Sequence, residues 1–232
     1  MSKLNEIVEK TKERVDKIKQ EIPKEDLLWE IRQKKVQMLL NPLAQTETAK
    51  TPHSFYQALK KPGMSCIRET SSAETAEKYK EAGIAAVSCW TEPFYHEGAD
   101  QNLWEIASEV DIPVLRKDVI VDDYMIIQSA AYSAAAVLLI CELLDEGQLR
   151  EYRELAEELG MDAFVEVHNE EEAQKALNSG ARIIGTSGMN TEQIVELRKK
   201  LPAEQIIVAE CENLTEEDVE KLSAVQINAV MQ

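Results

Sequence analysis

A chain of 232 residues, 44% of them hydrophobic, can bury one large core, and a single domain of this size is most often a β-sandwich or an α/β barrel. Its formal charge of −17 repels phosphate backbones and excludes a general nucleic-acid surface, so any anionic ligand must be held by local donors acting against the overall field. No apolar run approaches the roughly 20 residues that span a bilayer, and the opening MSKLNEIVEK lacks the apolar stretch of a signal peptide, which predicts a soluble cytoplasmic protein without membrane contact. Cys66, Cys89, Cys141 and Cys211 are widely separated, with no C-x-x-C pair; reduced thiols are expected, and neither a metal site nor a disulfide framework.

In chain order, LNEIVEKTKERVDKIK comes first and places Leu4, Ile7, Val8, Val15 and Ile18 near one helical face. Residues 1–60 therefore read as a helical extension packed across the rest of the molecule; the pattern covers too few heptads to favour a coiled-coil dimer. NPLAQTETAKTPHS, from 41, reads as a polar connection. Eight stretches rich in β-branched residues follow: MSCIRE from 64, AAVSCW from 85, PVLRKD from 113, AVLLIC from 136, DAFVEVH from 162, RIIGTS from 182, QIIVAE from 205 and INAVMQ from 227. Between them lie helical patterns such as AETAEKYKEAG, GQLREYRELAEELG, NEEEAQKALNSG and TEEDVEKL, several closed by glycine as helix C-termini are. Strand and helix alternating at this period require parallel pairing, and eight strands are the number that closes a (β/α)8 TIM barrel, here over residues 61–232 and forming one structural domain with the extension. A doubly wound open sheet is the runner-up, weakened because no glycine-rich dinucleotide loop follows any strand. The sequence stops at Gln232, at or just after the eighth strand, so the last covering helix is expected to be missing and that strand to be left as an exposed apolar surface.

Charges stand where the strands should end. In VLRKD, alternation puts Leu115 and Lys117 on one side and Arg116 on the other, so the third strand can send an ammonium into the barrel mouth while Arg116 turns to the helix layer. FVEVH likewise sets Phe164, Glu166 and His168 on one side, and VAECE delivers Glu210. Any one such charge is as readily solvated or paired among the helices. Two carboxylates and a lysine arriving from three strands make a constellation suited to proton transfer. His168 and His96 read as surface or loop histidines rather than catalysts.

Taken together, AAVSCWTEPFYHEG, IPVLRKDVIVDDY, AAAVLLIC, ELGMDAFVEVH and SGARIIG, in that order, resemble the indole-3-glycerol phosphate synthase family, and the similarity runs from the N-terminal helices through SFYQAL to the eighth strand. The resemblance implies a cofactor-free lyase of tryptophan biosynthesis that takes a phosphorylated small molecule, carboxyphenylamino-deoxyribulose phosphate, and closes an indole ring with loss of carbon dioxide and water. It makes Lys117 the general acid that protonates the substrate carbonyl oxygen, Glu166 the carboxylate of the later proton transfers, and Glu210 the glutamate of the strand-seven ESG pattern.

The sequence also departs from the family. Where the first strand of the family reads AEIKR-x-SPS, SCIRETSSAET is expected to put Cys66 and Arg68 at the two charged, substrate-facing positions, the arginine keeping the charge but not the lysine's acidity. TSGM replaces INNR, so that Ser187 stands for a substrate-binding asparagine; ECEN replaces ESGI; and His96 replaces an aromatic residue expected near the substrate ring. Phosphate is bound by backbone N–H groups of glycine-rich turns and helix N-termini, and the turns that would supply them are altered. These departures set an alternative beside the synthase: a catalytically impaired descendant acting as a binding or assembly module, as a homodimer or beside other tryptophan-pathway enzymes.

Overall fold

Eight parallel strands close on themselves in sequence order: β1 (Ser65–Glu69), β2 (Ala86–Trp90), β3 (Val114–Lys117), β4 (Ala136–Ile140), β5 (Asp162–Val167), β6 (Ile183–Thr186), β7 (Ile206–Glu210) and β8 (Ala229–Met231). The computed structural model describes residues 3–40 and 54–232, without the side chains of 38–40, so the polar connection at 41–53 lies outside the described residues. The ring is sealed by β1 beside β8, with Cys66 opposite Val230 and Ile67 opposite Met231, which excludes the open-sheet alternative. Strands such as AVLLI in β4 are buried along their whole length, as parallel strands are when side chains fill one face and helices cover the other.

The alternation splits the core in two. Ile67, Ala86, Leu115, Leu138, Phe164, Ile183, Val208 and Met231 point inward and fill the barrel. Val87, Cys89, Val137, Val165, Ile184, Ile207 and Val230 point outward into the layer beneath the helices. Gly185 is required in β6 because the ring of Phe164 occupies the space beside it; a Cβ there would lie 2.1 Å from Phe164 Cε1. At the end of the barrel where the strands begin, the short helix α3 (Phe55–Leu59) inserts Phe55 and Leu59. Phe55 meets Phe164 edge to face at 6.2 Å, and the Ser54 hydroxyl and Tyr56 N–H both donate to Asp162 Oδ2 at 2.9 Å.

The outer layer consists of α4 (Ala73–Glu81), α5 (Asp100–Glu109), α6 (Asp123–Ala131), α7 (Glu146–Glu158), α8 (Glu170–Asn178), α9 (Thr191–Lys200) and α10 (Glu216–Ala224). Side chains cap most of them, with reciprocal pairs Asp145–Gln148, Asn190–Gln193 and Thr215–Asp218 opening α7, α9 and α10. Before the barrel come α1 (Lys3–Glu21) and α2 (Lys24–Leu40). Buried Ile7, Thr11 and Val15 mark the inner face of α1, and Ile7 joins the barrel-filling cluster together with Val119, just past the end of β3. Helix α2 lies along α6, tied by Lys24 to Asp123 at 2.6 Å and by Lys34 to the Ala131 carbonyl and the Ser133 hydroxyl.

One expectation about the eighth strand is overturned. All three residues of β8 are buried, because Val230 packs into the outer apolar layer while Ala229 and Met231 face the interior. No helix among the described residues is long and apolar enough to cross a membrane.

Candidate active site

The run Arg116, Lys117, Asp118 at the end of β3 divides between two environments. Arg116 turns outward and is fully buried under the helices. Its Nε donates to Thr91 Oγ1 at 2.9 Å; its terminal nitrogens donate to the Met125 carbonyl, Gln128, Ser129, Asp100 (2.8 Å) and Asp118 (3.1 Å). Asp118, also fully buried, accepts from Thr91 Oγ1 at 2.6 Å and from Arg14 of α1 at 2.7 Å. Burial works to raise its pKa, but Arg116 and Arg14 outweigh it and hold the carboxyl below its ordinary value. This network fastens α1 and the β2–α5 loop to the rim.

Lys117 turns inward and is only 3% exposed. Its Nζ lies 2.6 Å from Glu210 Oε1 of β7, 3.4 Å from Glu69 Oε2 of β1 and 4.6 Å from the centre of the Trp90 ring of β2. Burial pulls the ammonium's pKa down, while Glu210, Glu69 and Glu166 push it up and prevail, so the group is a cation over the whole physiological range.

Trp90 is roofed by His96, the two rings stacked at 3.6 Å and within 3° of parallel. The loop that carries His96 back over the strand is tight: buried Glu92 accepts from the N–H groups of Phe94 (2.7 Å) and Tyr95 (2.9 Å), and its carbonyl accepts from Gly98 N–H. Gly98 passes so close to the strand that a Cβ would fall 2.6 Å from the Trp90 carbonyl oxygen. Burial lowers the pKa of His96, leaving a neutral ring that stacks as an aromatic residue would.

From β5, Glu166 points inward in phase with Phe164, and His168 follows in the same phase just beyond the strand. His168 Nε2 is 3.3 Å from Glu166 Oε1, and Nδ1 is 3.1 Å from Glu172 Oε2 on the first turn of α8. The hydrogen bond with Glu166, reinforced by Glu172 and opposed by burial, raises the histidine's pKa to about 9. Ser187 continues the inward phase of β6 past Gly185, half-buried at the mouth, with its N–H donating to the Val167 carbonyl at 3.0 Å.

The structure thus brings Lys117 and Glu210 into contact, with Glu166 close enough to act on Lys117 electrostatically, and sets Ser187 at the rim of the same end. It does not bring Cys66 and Arg68 there. Ile67 is the one apolar residue of SCIRE packed in the barrel interior; it pairs with inward Ala86, which turns Cys66 and Arg68 outward. Cys66 accordingly packs in the outer layer, and Arg68 pairs with outward Val87. The inward residue at the end of β1 is Glu69, so this strand supplies a carboxylate, not a guanidinium or a thiol.

Glu69, Trp90 and Glu92 are not among the candidates the sequence offers, and His96 and His168, which read there as surface or loop histidines, stand in the mouth. Counting inward from Ile67 finds Glu69, and the i, i+4 pair His168–Glu172 was visible beside an already recognised inward run. Nothing in the sequence announces the Trp90–His96 stack, which depends on the loop doubling back. Among the described residues, no group of three His, Cys, Asp or Glu side chains is arranged to hold a metal ion. What the mouth offers is a shielded ammonium beside two carboxylates, with a third carboxylate held by a charged imidazole: a proton donor and a proton acceptor at one end of the barrel.

A family model described as indole-3-glycerol phosphate synthase matches residues 4–231. An indole-3-glycerol phosphate synthase of Lacticaseibacillus paracasei is 39% identical over 220 residues, covering 84% of this chain and 84% of that protein. One of Endomicrobium trichonymphae is 38% identical over 249 aligned positions, covering 98% of this chain and 92% of that protein. Among solved structures, the N-acetylmannosamine-6-phosphate 2-epimerase from Clostridium perfringens superposes with a TM-score of 0.60 at 13% identity, covering 77% of this chain and 89% of that one. An oxaloacetate acetylhydrolase gives 0.63 at 12%, covering 80% and 81%. At that identity the last two speak for the barrel alone.

Proposed function

This chain belongs to the indole-3-glycerol phosphate synthase family, and we propose that it performs the family's ring closure with Lys117, Glu166 and Glu210 as the working side chains. It is a carboxy-lyase of tryptophan biosynthesis acting on a phosphorylated small molecule. The observation that carries the assignment of roles is the Lys117 ammonium, buried at the end of β3 and gripped by Glu210 at 2.6 Å.

In this reading Lys117 donates its proton to the substrate's carbonyl oxygen while the carboxyl-bearing ring carbon attacks the carbonyl carbon. The new carbon–carbon bond forms, the carbonyl becomes a hydroxyl, and carbon dioxide leaves its electron pair to the ring. A second proton then releases the hydroxyl as water, and Glu166 takes the proton from the neighbouring carbon to complete the indole. Glu210 stabilises the ammonium and holds it at the reaction centre, and the Trp90 face shields it from water, which strengthens its interaction with the substrate oxygen. Ser187, at the rim, is a donor to a substrate hydroxyl. Every group comes from one chain's own strands, so the chemistry needs no second subunit, and a cytoplasmic location suits such a biosynthetic role.

With Glu69 and no lysine arriving from β1, the mouth has one cation fewer than the family pattern implies, which bears on substrate affinity and not on the identity of the reaction. No structural feature among the described residues favours a non-catalytic module; the strand that would have served it is buried. The test is incubation of the purified protein with carboxyphenylamino-deoxyribulose phosphate while following indole fluorescence. Steady product formation is expected, and its absence at saturating substrate would overturn the assignment.

A further inference from the structure

Resting on the reading of Glu166 as the carboxylate of the dehydration, we propose that His168, clamped by Glu172, is a positioning residue that fixes the orientation of Glu166. Both ring nitrogens of His168 face carboxylate oxygens, Nε2 toward Glu166 at 3.3 Å and Nδ1 toward Glu172 at 3.1 Å. An ionised carboxylate can only accept, so a neutral imidazole, with one N–H, satisfies one neighbour and presents a lone pair to the other. The imidazolium alone satisfies both.

The clamp is itself fastened. Glu172 is the third residue of α8, whose N-cap is Asn169. Its Oε2 also accepts from the His168 N–H at 2.9 Å, and its Oε1 accepts from Asn169 Nδ2 at 3.0 Å. One carboxylate therefore holds the backbone and the ring of His168 together, at a helix N-terminus that favours its negative charge. The charged groups around the imidazole are Glu166 from its own strand, Glu172 from α8 and, beyond Glu166, Lys117 from β3; Lys175 of α8 is engaged with the Cys141 carbonyl at 2.7 Å. A base that takes a proton from carbon works best when held in one orientation, and this chain supplies that hold from outside the reacting groups.

The consequence is a pH limit on turnover that belongs to neither reacting group. With the histidine's pKa raised to about 9, mainly by Glu166, the clamp is intact below that pH and released above it. Lys117 is raised above its ordinary 10.5, so its own loss of charge comes later.

The experiment joins a histidine NMR titration to steady-state kinetics on wild type, His168→Leu, His168→Gln and Glu172→Gln. The chain has only 3 histidines, so assignment is direct. His168 is expected to titrate near 9 in the wild type and distinctly lower in Glu172→Gln, whose amide oxygen can still accept from the His168 N–H while Asn169 keeps its cap on α8. His168→Leu should lower kcat by about 10- to 100-fold with KM little changed. His168→Gln, which can still donate to Glu166, should recover part of that loss and lack the basic limb near 9. A histidine titrating near 6.5, or a His168→Leu enzyme with the wild-type kcat and pH profile, would overturn the proposal. If the wild type shows no turnover, the reading of Glu166 fails, and the titration alone still decides whether the clamp exists.

Discussion

Replacing Arg116 by methionine separates what two adjacent cations do. Arg116 makes six polar contacts, two of them with the carboxylates of Asp100 and Asp118. Methionine fills much of the volume but leaves Asp118 buried with one cation, Arg14, where it had two. Breaking a buried ion pair by removing one partner costs about 3–5 kcal/mol, and the remaining bonds from Arg14 and Thr91 place this case near the lower end. For a chain of this length about 3 kcal/mol lowers Tm by about 6–12 °C. The loss should be largest near neutrality and shrink on acidification, as protonation of Asp118 removes the charge that Arg116 pairs. A folded-state pKa held below the unfolded one stabilises the protein above the unfolded value and loses that stabilisation as pH falls through the folded one. Without Arg116 the opposing effect of burial gains weight, Asp118 takes up its proton at a higher pH, and the Tm of the variant converges on that of wild type in acid. Arg116→Lys keeps the charge but not the planar fork, and should fall between. Thermal unfolding followed from neutrality down to about pH 3 measures this, and turnover per folded molecule should stay close to wild type because Arg116 faces away from the mouth. A Tm within a degree or so of wild type, or a loss of turnover without a loss of stability, would refute the reasoning.

Glu69→Gln removes one of the carboxylates that raise the pKa of Lys117, so the Lys117 limb of the pH–rate profile should move to lower pH. The same change takes a negative charge from the mouth and should lower KM for the phosphorylated substrate; an unchanged KM and pH profile would show that Glu69 does not face the site. Gly185→Ala forces a Cβ against the buried Phe164 ring and, through it, against Phe55; overpacking of about 1–3 kcal/mol is expected, measured as a lower urea midpoint with an unchanged slope.

All eight strands are legible because buried β-branched runs recur at a regular period, and the inward phase of β3, β5 and β7 follows from alternation, with Leu115, Phe164 and Val208 inside the barrel. The phase of β1 was misread for the same reason the others were right. SCIRE has a single large apolar residue, and assigning the family's charged positions to Cys66 and Arg68 let the chemistry of two side chains override the burial of Ile67. A slip of one residue exchanges every side chain between the interior and the helix layer, so Glu69 went unnoticed. Helix α1 reaches the rim through Arg14 and Ile7; the plug made by Phe55 and Leu59 is not legible in the sequence, since five residues carry too little periodicity to read. The roof over Trp90 escaped for a different reason: it is built by a doubled-back loop, whose path depends on Glu92 capping two N–H groups and on the missing side chain of Gly98.

The central claim is that the buried Lys117 ammonium is the acid of ring closure. It is tested most directly by the kcat of Lys117→Ala on carboxyphenylamino-deoxyribulose phosphate, with binding of the same compound measured in parallel. The account predicts that kcat falls by about 10²- to 10⁴-fold while the compound still binds. A variant that turns over at close to the wild-type rate would contradict it.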